Sequence, residues 1–175
     1  MNIETTCCFT GNRPQKLPFG FNEKRPDCVK LKKILLMEIE ESITCRNISH
    51  FISGMALGVD QFAAEIVLRL KKKYPHITLE LAIPCETQAE RWNEKQRERY
   101  YEIAVKCDKE TMIHREYTES CMVDRNRYMV NNSGSVIAVW TGEDGGTRQT
   151  VNYALAMERK VTIINPADLS IKKYI

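Results

Sequence analysis

Hydrophobic positions along this chain follow two alternating periods. Short apolar runs of strand length recur at roughly even spacing, at residues 5–9, 50–53, 78–83, 111–114, 135–140 and 161–165. Helical periodicity lies between them, and in 28–43 it traces one stripe made of Val29, Leu31, Ile34, Leu35, Ile39 and Ile43. Residues 59–74 repeat this helical pattern, and 87–107 predict a more polar, outer helix.

Strands that alternate with helices predict an α/β fold, in which right-handed crossovers join a mostly parallel sheet. Helices on both faces would make this a three-layer sandwich around a central sheet. No internal repeat, low-complexity tract or linker interrupts the 175 residues, so a single domain over 1–175 is expected. In such sheets, the connections that leave the carboxyl ends of the strands form the ligand crevice.

Unusual residues are concentrated in these connections. Of the eight glycines in the chain, the six that fall there are Gly11, Gly54, Gly58, Gly142, Gly145 and Gly146. Since parallel strands end at the same edge of a sheet, we expect these loops to converge.

The first two connections combine glycine with charged residues. Arg13 follows Gly11, and Pro14 favours an extended Arg13, whose guanidinium suits phosphate or carboxylate. In "SGMALGVD", Gly54 ends a strand and Gly58 precedes a helix, whose free N–H groups favour an anion. The alternative is a plain strand-to-helix turn, in which Asp60 only caps the helix and Arg13 lies on the surface.

The connection "TGEDGGT" (141–147) leads into another predicted helix. Gly145, Gly146 and Thr147 would offer backbone and hydroxyl donors to a phosphate at the helix start. The helix before the fifth strand is predicted to bury Met122, Met129 and Val130. We expect one of its two arginines, Arg125 or Arg127, to face the crevice.

Composition narrows the function classes. The formal charge is +3, from 26 basic and 23 acidic residues, which is too balanced for a nucleic-acid footprint unless cations are concentrated locally. Seven scattered cysteines without a CxxC pair suggest reduced thiols, so no metal is expected. The N-terminus lacks a signal-peptide pattern and no apolar run reaches the length of a membrane span. A cytoplasmic protein without membrane contact is predicted.

No catalytic group can be chosen from the residues alone. Cys85 follows a strand near the predicted crevice, but no histidine is placed by sequence to activate it. Asp60, Glu86 and Asp144 are candidate carboxylates, and nothing ranks one of them as the general base. Trp92 or Trp140 would suit stacking on a base, although Trp140, at a strand end, equally fits the core.

Taken together, these motifs resemble the SLOG superfamily, the Rossmann-like lineage that joins the DNA-processing protein DprA/Smf to the LOG nucleotide hydrolases, and within it the YpsA-like branch. "SGMALGVDQFAAE" is similar to the DprA/Smf pattern S-G-x-A-x-G-[IV]-D-x-x-A. "TGNRP" resembles the first-loop signature, and "MVDRNRYM" followed by "GGT" resembles the LOG arrangement. The resemblance implies one Rossmann-like SLOG domain over nearly the whole chain, and a homo-oligomer in so far as LOG relatives are commonly dimeric.

One departure from the resemblance bears on activity. LOG proteins cleave the base from a nucleoside monophosphate. In that family the activity is attributed to an arginine of the first motif and a glutamate of the second, and Arg125 matches the arginine. Thr150 stands at the position of that glutamate. A threonine cannot stabilise a ribosyl transition state or activate water as a carboxylate does. The resemblance therefore implies phosphate binding and puts LOG-type hydrolysis in doubt.

The favoured hypothesis is a protein that binds a nucleotide or nucleotide-derived ligand, for instance an ADP-ribose-like molecule, and needs no other cofactor. The expected ligand-binding residues are Gly11, Arg13, Gly54, Gly58, Asp60, Glu86, Trp92, Arg125, Gly145, Gly146 and Thr147. The alternative is an N-glycosidic or phosphoester hydrolase of LOG type, in which Asp60, Glu86 or Asp144 replaces the missing glutamate. A third hypothesis is single-stranded DNA binding of DprA type, against which the near-neutral charge argues.

Overall fold

A computed structural model describes residues 2–175 and shows a seven-stranded sheet between two layers of helices. The strands are β1 (Thr6–Gly11), β2 (His50–Ser53), β3 (Thr78–Ile83), β4 (Lys109–Met112), β5 (Ser135–Val139), β6 (Lys160–Ile164) and β7 (Ile171–Tyr174). The helices are α1 (Pro26–Arg46), α2 (Val59–Leu70), α3 (Glu94–Ala104), α4 (Cys121–Asn131) and α5 (Gly146–Ala156). The predicted Rossmann-like α/β sandwich is confirmed.

The strand order places β1 at the centre of the sheet. It reads β4-β3-β2-β1-β5-β6-β7, so the chain moves outward from β1 to β4 and returns to the other side of β1 with β5. Strands β1 to β6 pair in parallel, and β7 pairs antiparallel with β6. The carboxyl ends of β1 and β5 therefore form the topological switch point, where ligands bind in sheets of this kind.

Alternate residues of each strand fill two separate cores. Phe9 and Phe51 pack beneath α1, α2 and α3, whereas Cys8 and Ile52 face α4 and α5. The rings of Phe9 and Phe51 are stacked, with centroids 5.8 Å apart. Burying a side chain of this size contributes roughly 1.5–3 kcal/mol, so the central strands form a stable platform for the loops at their ends.

Two predicted helices differ from the observed ones. The predicted helix 87–107 is wrong in its first turns, because Asn93 forms a capping box with Gln96 and α3 begins only at Glu94. Val29 is 41% exposed and so leaves the predicted stripe, since it lies outside the face of α1 that buries Cys28, Leu31 and Leu35. Leu31, Leu35, Ile39 and Ile43 are buried as predicted.

Strand β7 was not predicted from the sequence. Its residues "IKKY" carry two lysines, and three of the four are exposed, because this strand closes the edge of the sheet. Lysines on an edge strand discourage pairing with other chains. They also interrupt the apolar run by which a strand is recognised in a sequence.

Other features bear on the chemistry available to the fold. All seven cysteines are free, as predicted. Within residues 2–175, no helix is both long enough and apolar enough to cross a membrane. Over the same described range, His, Cys, Asp and Glu side chains form no group of three or more suited to a metal ion.

Candidate functional site

A cleft of about 460 Å³ opens at the carboxyl ends of β1 and β5. This volume lies in the range of small-molecule sites. The lining residues come from four segments and are Phe9, Thr10, Gly11, Asn12, Arg13, Gln15, Lys16, Ala56, Asp60, Met122, Arg125, Asn126, Glu143, Asp144, Gly145, Gly146 and Thr147. Seven of the predicted ligand-binding residues are thus brought together, namely Gly11, Arg13, Asp60, Arg125, Gly145, Gly146 and Thr147.

The N-terminus of α5 forms one wall of this cleft. Gly145 is the N-cap residue, with a φ of 148° that favours glycine, and it has no side chain to cap the helix. A Cβ placed on Gly146 would meet no atom within 4 Å, so this residue faces open space. The first N–H groups of a helix lack partners within the helix and carry partial positive charge. The wall is therefore suited to an anion.

Hydrogen bonds hold the loop before α5 in position. Trp140 Nε1 donates to the Glu143 carbonyl at 2.8 Å. The backbone N–H of Thr141 donates to Asn12 Oδ1 at 3.0 Å, which ties the loop after β5 to the loop after β1. Trp140 thus positions this loop.

Two cations lie on the same side of the cleft. Arg13 is extended, as Pro14 predicts, and its exposed side chain enters none of the ion pairs formed among residues 2–175. Lys16 Nζ donates to the Asp144 carbonyl at 2.6 Å. The same ammonium group would lie 3.4 Å from a Cβ on Gly145, so it sits beside the start of α5.

A buried ion pair forms the deeper part of the cleft. The side chains of Arg125 and Asp60 are 6% and 8% exposed, and Arg125 Nη1 lies 3.9 Å from Asp60 Oδ2. Arg125 Nη1 also donates to the Gly54 carbonyl, and Asp60 Oδ2 accepts the Ala56 N–H at 3.3 Å. Arg125 rather than Arg127 therefore faces the crevice, since Arg127 is exposed.

The environment shifts the pKa of both members of this pair. Burial raises the pKa of Asp60, and the positive charge of Arg125 opposes that shift. Burial lowers the pKa of Arg125; Asp60 opposes this, and the like charge of Arg13 adds to it. Arginine stays charged at neutral pH. Arg13 and Arg125 therefore repel each other, and an anion bound between them would relieve the repulsion.

Three predicted glycines serve close packing. A Cβ on Gly11 would lie 2.5 Å from Val59 Cβ, where β1 meets the start of α2. Gly54 lies under the Arg125 guanidinium, and a Cβ there would collide with it. Gly58 has a φ of 94°, and a Cβ added there would lie 3.1 Å from the Asn12 carbonyl oxygen. Gly54 and Gly58 do not line the cleft.

Met122 departs from its predicted role. It was expected in a buried stripe, but it is only half-buried and lines the cleft, because it lies on the same side of α4 as Arg125. Met129 and Val130 are buried as predicted.

Two further predicted residues lie outside the cleft. Glu86 is exposed, and its backbone N–H donates to the Arg115 carbonyl at 3.2 Å. Trp92 is half-buried, with its ring edge-on to Tyr100 at a centroid distance of 5.7 Å. Trp92 lines a second compartment next to the cleft.

Thr150 is engaged within its own helix. It is 4% exposed, and its Oγ1 donates to the Gly146 carbonyl at 2.8 Å. Since "GTRQTVNYALA" contains no acidic residue, α5 brings no carboxylate to the cleft.

Sequence reasoning missed Asn12 and Lys16. Asn12 is buried and its side chain accepts the Thr141 N–H, a long-range contact that no local pattern reveals. Lys16 reads as a surface residue, but a 3-10 turn over Pro14–Lys16 bends the chain back toward the start of α5. The proline after Arg13 was the available signal for that turn.

The fold and the cleft define a Rossmann-like α/β protein with a ligand crevice at the switch point of its sheet. A family model described as the YspA SLOG family (YpsA) matches residues 7–169. The chain belongs to this family, which confirms the resemblance drawn from the motifs.

Individual relatives agree with this assignment. The chain is 37% identical over 143 residues to the SPbeta prophage-derived protein YoqJ of Bacillus subtilis, covering 75% of this chain and 84% of YoqJ. It is 31% identical over 129 residues to a UPF0398 protein of Brevibacillus brevis, covering 73% and 68% respectively.

A solved structure shares the fold. DNA processing protein A from Helicobacter pylori, described for its single-stranded DNA binding mode, superposes with a TM-score of 0.59 at 16% identity. The match covers 92% of this chain and spans 65% of the length of that chain.

Proposed function

We propose that this protein binds a nucleotide or a nucleotide-derived ligand, with a phosphate at the N-terminus of α5. The observation that carries the proposal is that this helix start, which has no side-chain cap, meets Arg13 and Lys16 in one cleft. Unpaired N–H groups at a helix start and fixed cations together hold phosphate oxygens by charge-assisted hydrogen bonds.

Two acidic residues of the loop before α5 also line the cleft, and each lies near a cation. Asp144 pairs with Arg148 on α5, and Glu143 Oε2 lies 4.0 Å from Lys16 Nζ. An ammonium group carries three donors, so Lys16 can keep its bond to the Asp144 carbonyl and still donate to a phosphate. Because acidic as well as basic side chains line the cleft, its charge suits a ligand with few phosphates better than one with many.

The residues of the cleft favour ligand binding over hydrolysis. Thr150 points its hydroxyl at the Gly146 carbonyl, so it neither lines the cleft nor substitutes for the family glutamate. The alternative hydrolase would depend on Asp60 or Asp144, the two candidate carboxylates that line the cleft, and burial raises the pKa of Asp60. Asp60 Oδ2 already accepts the Ala56 N–H and lies 3.9 Å from Arg125 Nη1, whereas Asp144 pairs with Arg148.

Gly146→Val tests the proposed phosphate site. A Cβ at Gly146 would meet no atom within 4 Å, so the fold should persist while the branched side chain covers the neighbouring N–H groups. Isothermal titration with AMP should show at least a 100-fold loss of affinity. Ala156→Val adds the same branching at the exposed far end of α5 and should leave affinity unchanged. Undiminished AMP binding by Gly146→Val would refute the phosphate site.

Chromatography separates binding from hydrolysis. Wild-type protein incubated with AMP or NAD should release no free base above the rate of a protein-free control. Base release that is lost in Asp60→Asn or in Asp144→Asn would replace the proposed function with the hydrolase alternative.

A further inference from the structure

A second compartment of about 380 Å³ adjoins the cleft. Arg13, Gln15, Ala56 and Met122 belong to the walls of both. The remaining walls are made of Phe21, Leu57, Gln88, Arg91, Trp92 and Gln96. We propose that this compartment receives the base of the nucleotide, an inference that rests on the function proposed above for the neighbouring cleft.

The walls of the second compartment suit a planar heterocycle. Trp92 and Phe21 supply aromatic surface, and Phe21 is 58% exposed although it is a large apolar side chain. Bases stack on aromatic side chains because every base presents a π-face. The glutamines supply amide donors and acceptors for base edges.

Charge distinguishes the two compartments. The cleft contains Asp60, Glu143 and Asp144, whereas none of the acidic residues within 2–175 lines the second compartment. Its charged groups are the guanidinium groups of Arg13 and Arg91, which can lie against the face of a base as well as against phosphate.

The fold holds the walls of the second compartment in place. Trp92 packs edge-on against Tyr100, which is 8% exposed, and the Trp92 carbonyl accepts a hydrogen bond from Arg97 Nη1 at 2.7 Å. Near Phe21, Glu23 pairs with both Lys32 of α1 and Arg99 of α3. The Trp92 wall is therefore anchored before any ligand arrives, which lowers the entropy cost of binding.

One carbonyl connects the two compartments. The Gly54 carbonyl accepts hydrogen bonds from Gln88 Nε2, at 3.0 Å, and from Arg125 Nη1. Gln88 lines the second compartment and Arg125 lines the cleft. A ligand that spans both compartments would therefore lie across a single hydrogen-bonded unit, and Arg13, which lines both, would remain available to its phosphate.

Phe21→Ala tests this inference with two probes. Isothermal titration would compare the four ribonucleoside 5′-monophosphates, which carry a base, with ribose 5-phosphate, which does not. For the tightest-binding nucleotide, Phe21→Ala should weaken affinity at least fivefold, and ribose 5-phosphate should change less than twofold. Tyr117→Ala removes a ring that is 65% exposed and lines neither compartment, so it serves as the matched control.

Tryptophan fluorescence gives an independent readout. The tightest nucleotide should quench emission in the wild type, and this quenching should be lost in Trp92→Phe, whereas ribose 5-phosphate should quench in neither protein. Equal wild-type affinity for the nucleotides and ribose 5-phosphate, or an unchanged nucleotide affinity in Phe21→Ala, would overturn the base compartment alone. Absence of binding by any of these probes would overturn the phosphate site as well. Phe21-dependent binding of an oligonucleotide without mononucleotide binding would assign the surface to single-stranded DNA instead.

Discussion

Arg125 and Asp60 belong both to the scaffold and to the site. Their side chains line the cleft, yet the Arg125 guanidinium also donates to the carbonyl of Gly54, the residue that begins the loop after β2. A buried pair stabilises little by itself, but removing one partner leaves an uncompensated buried charge. A substitution here changes stability as well as ligand binding.

Arg125→Ala should lower the free energy of unfolding by about 3–5 kcal/mol at pH 7.5, measured by urea denaturation. Burial raises the pKa of Asp60 in the native state, so the folded chain binds this proton more readily than the unfolded chain. Arg125 opposes that shift, so in the variant the pKa of Asp60 should rise further, and the stability lost relative to wild type should shrink as the pH falls toward 5. Arg127→Ala, an exposed arginine on the same helix, is the control and should cost less than about 1 kcal/mol. A loss that does not vary with pH would contradict the role of Asp60.

At the residue scale, local chemistry was predictable and long-range contacts were not. The extended Arg13 and the open Gly146 follow from the proline and glycine pattern of the sequence. Gly54 and Gly58 also sit where motifs place them, but their surroundings come from Arg125 and Pro14, which are remote in sequence. A glycine that is required by packing and one that is required by a ligand look the same in a sequence.

A polar network joins four elements on the α4 side of the sheet. Glu80 of β3 is completely buried, and its carboxylate contacts His50 of β2 at 2.9 Å. It also accepts hydrogen bonds from Thr111 of β4 at 2.6 Å and from Tyr128 of α4 at 2.7 Å, and it lies 3.1 Å from Lys109 Nζ. Burial works against ionisation, but these partners outweigh it and lower the pKa of Glu80 to about 2.

The network predicts a specific loss of stability in acid. A lowered native pKa means that the contribution of Glu80 is complete above its unfolded value, near 4.5, and is lost as the pH falls toward about 2. Wild type should lose about 3 kcal/mol more than Glu80→Gln over this interval, by urea denaturation at successive pH values. Parallel pH profiles for the two proteins would show that the network does not hold Glu80 in its charged form.

At the element scale, the buried strands were predicted correctly and the exposed edge strand was not. Strands β1, β2, β3, β5 and β6 have buried residues at most positions and appeared as apolar runs. Strand β7 is largely exposed, so hydrophobicity could not reveal it. Helix α3 begins later than its polar pattern suggests, because the capping box at Asn93 fixes its start.

Topology decides which loops reach which compartment. Neighbouring strands are about 4.8 Å apart, and β3 lies two places from β1 in the sheet. The loop after β3 therefore brings Gln88 and Trp92 to the second compartment, while the loops after β1 and β5 line the cleft at the start of α5. Convergence at one edge was predictable from the alternation of elements, but the division into two compartments depends on strand order, which the sequence pattern leaves open.

Backbone amide chemical shifts provide the most direct test of the claim that the start of α5 holds a phosphate. In a titration of uniformly ¹⁵N-labelled protein with AMP, the largest saturable shifts should fall on Gly145, Gly146 and Thr147, with Arg13 also affected. Inorganic phosphate should shift the same four amides and leave the Trp92 indole N–H unchanged. Saturable shifts confined to another surface, such as the one lined by Arg25 and Asp168, or no shifts with AMP at millimolar concentration, would contradict the account.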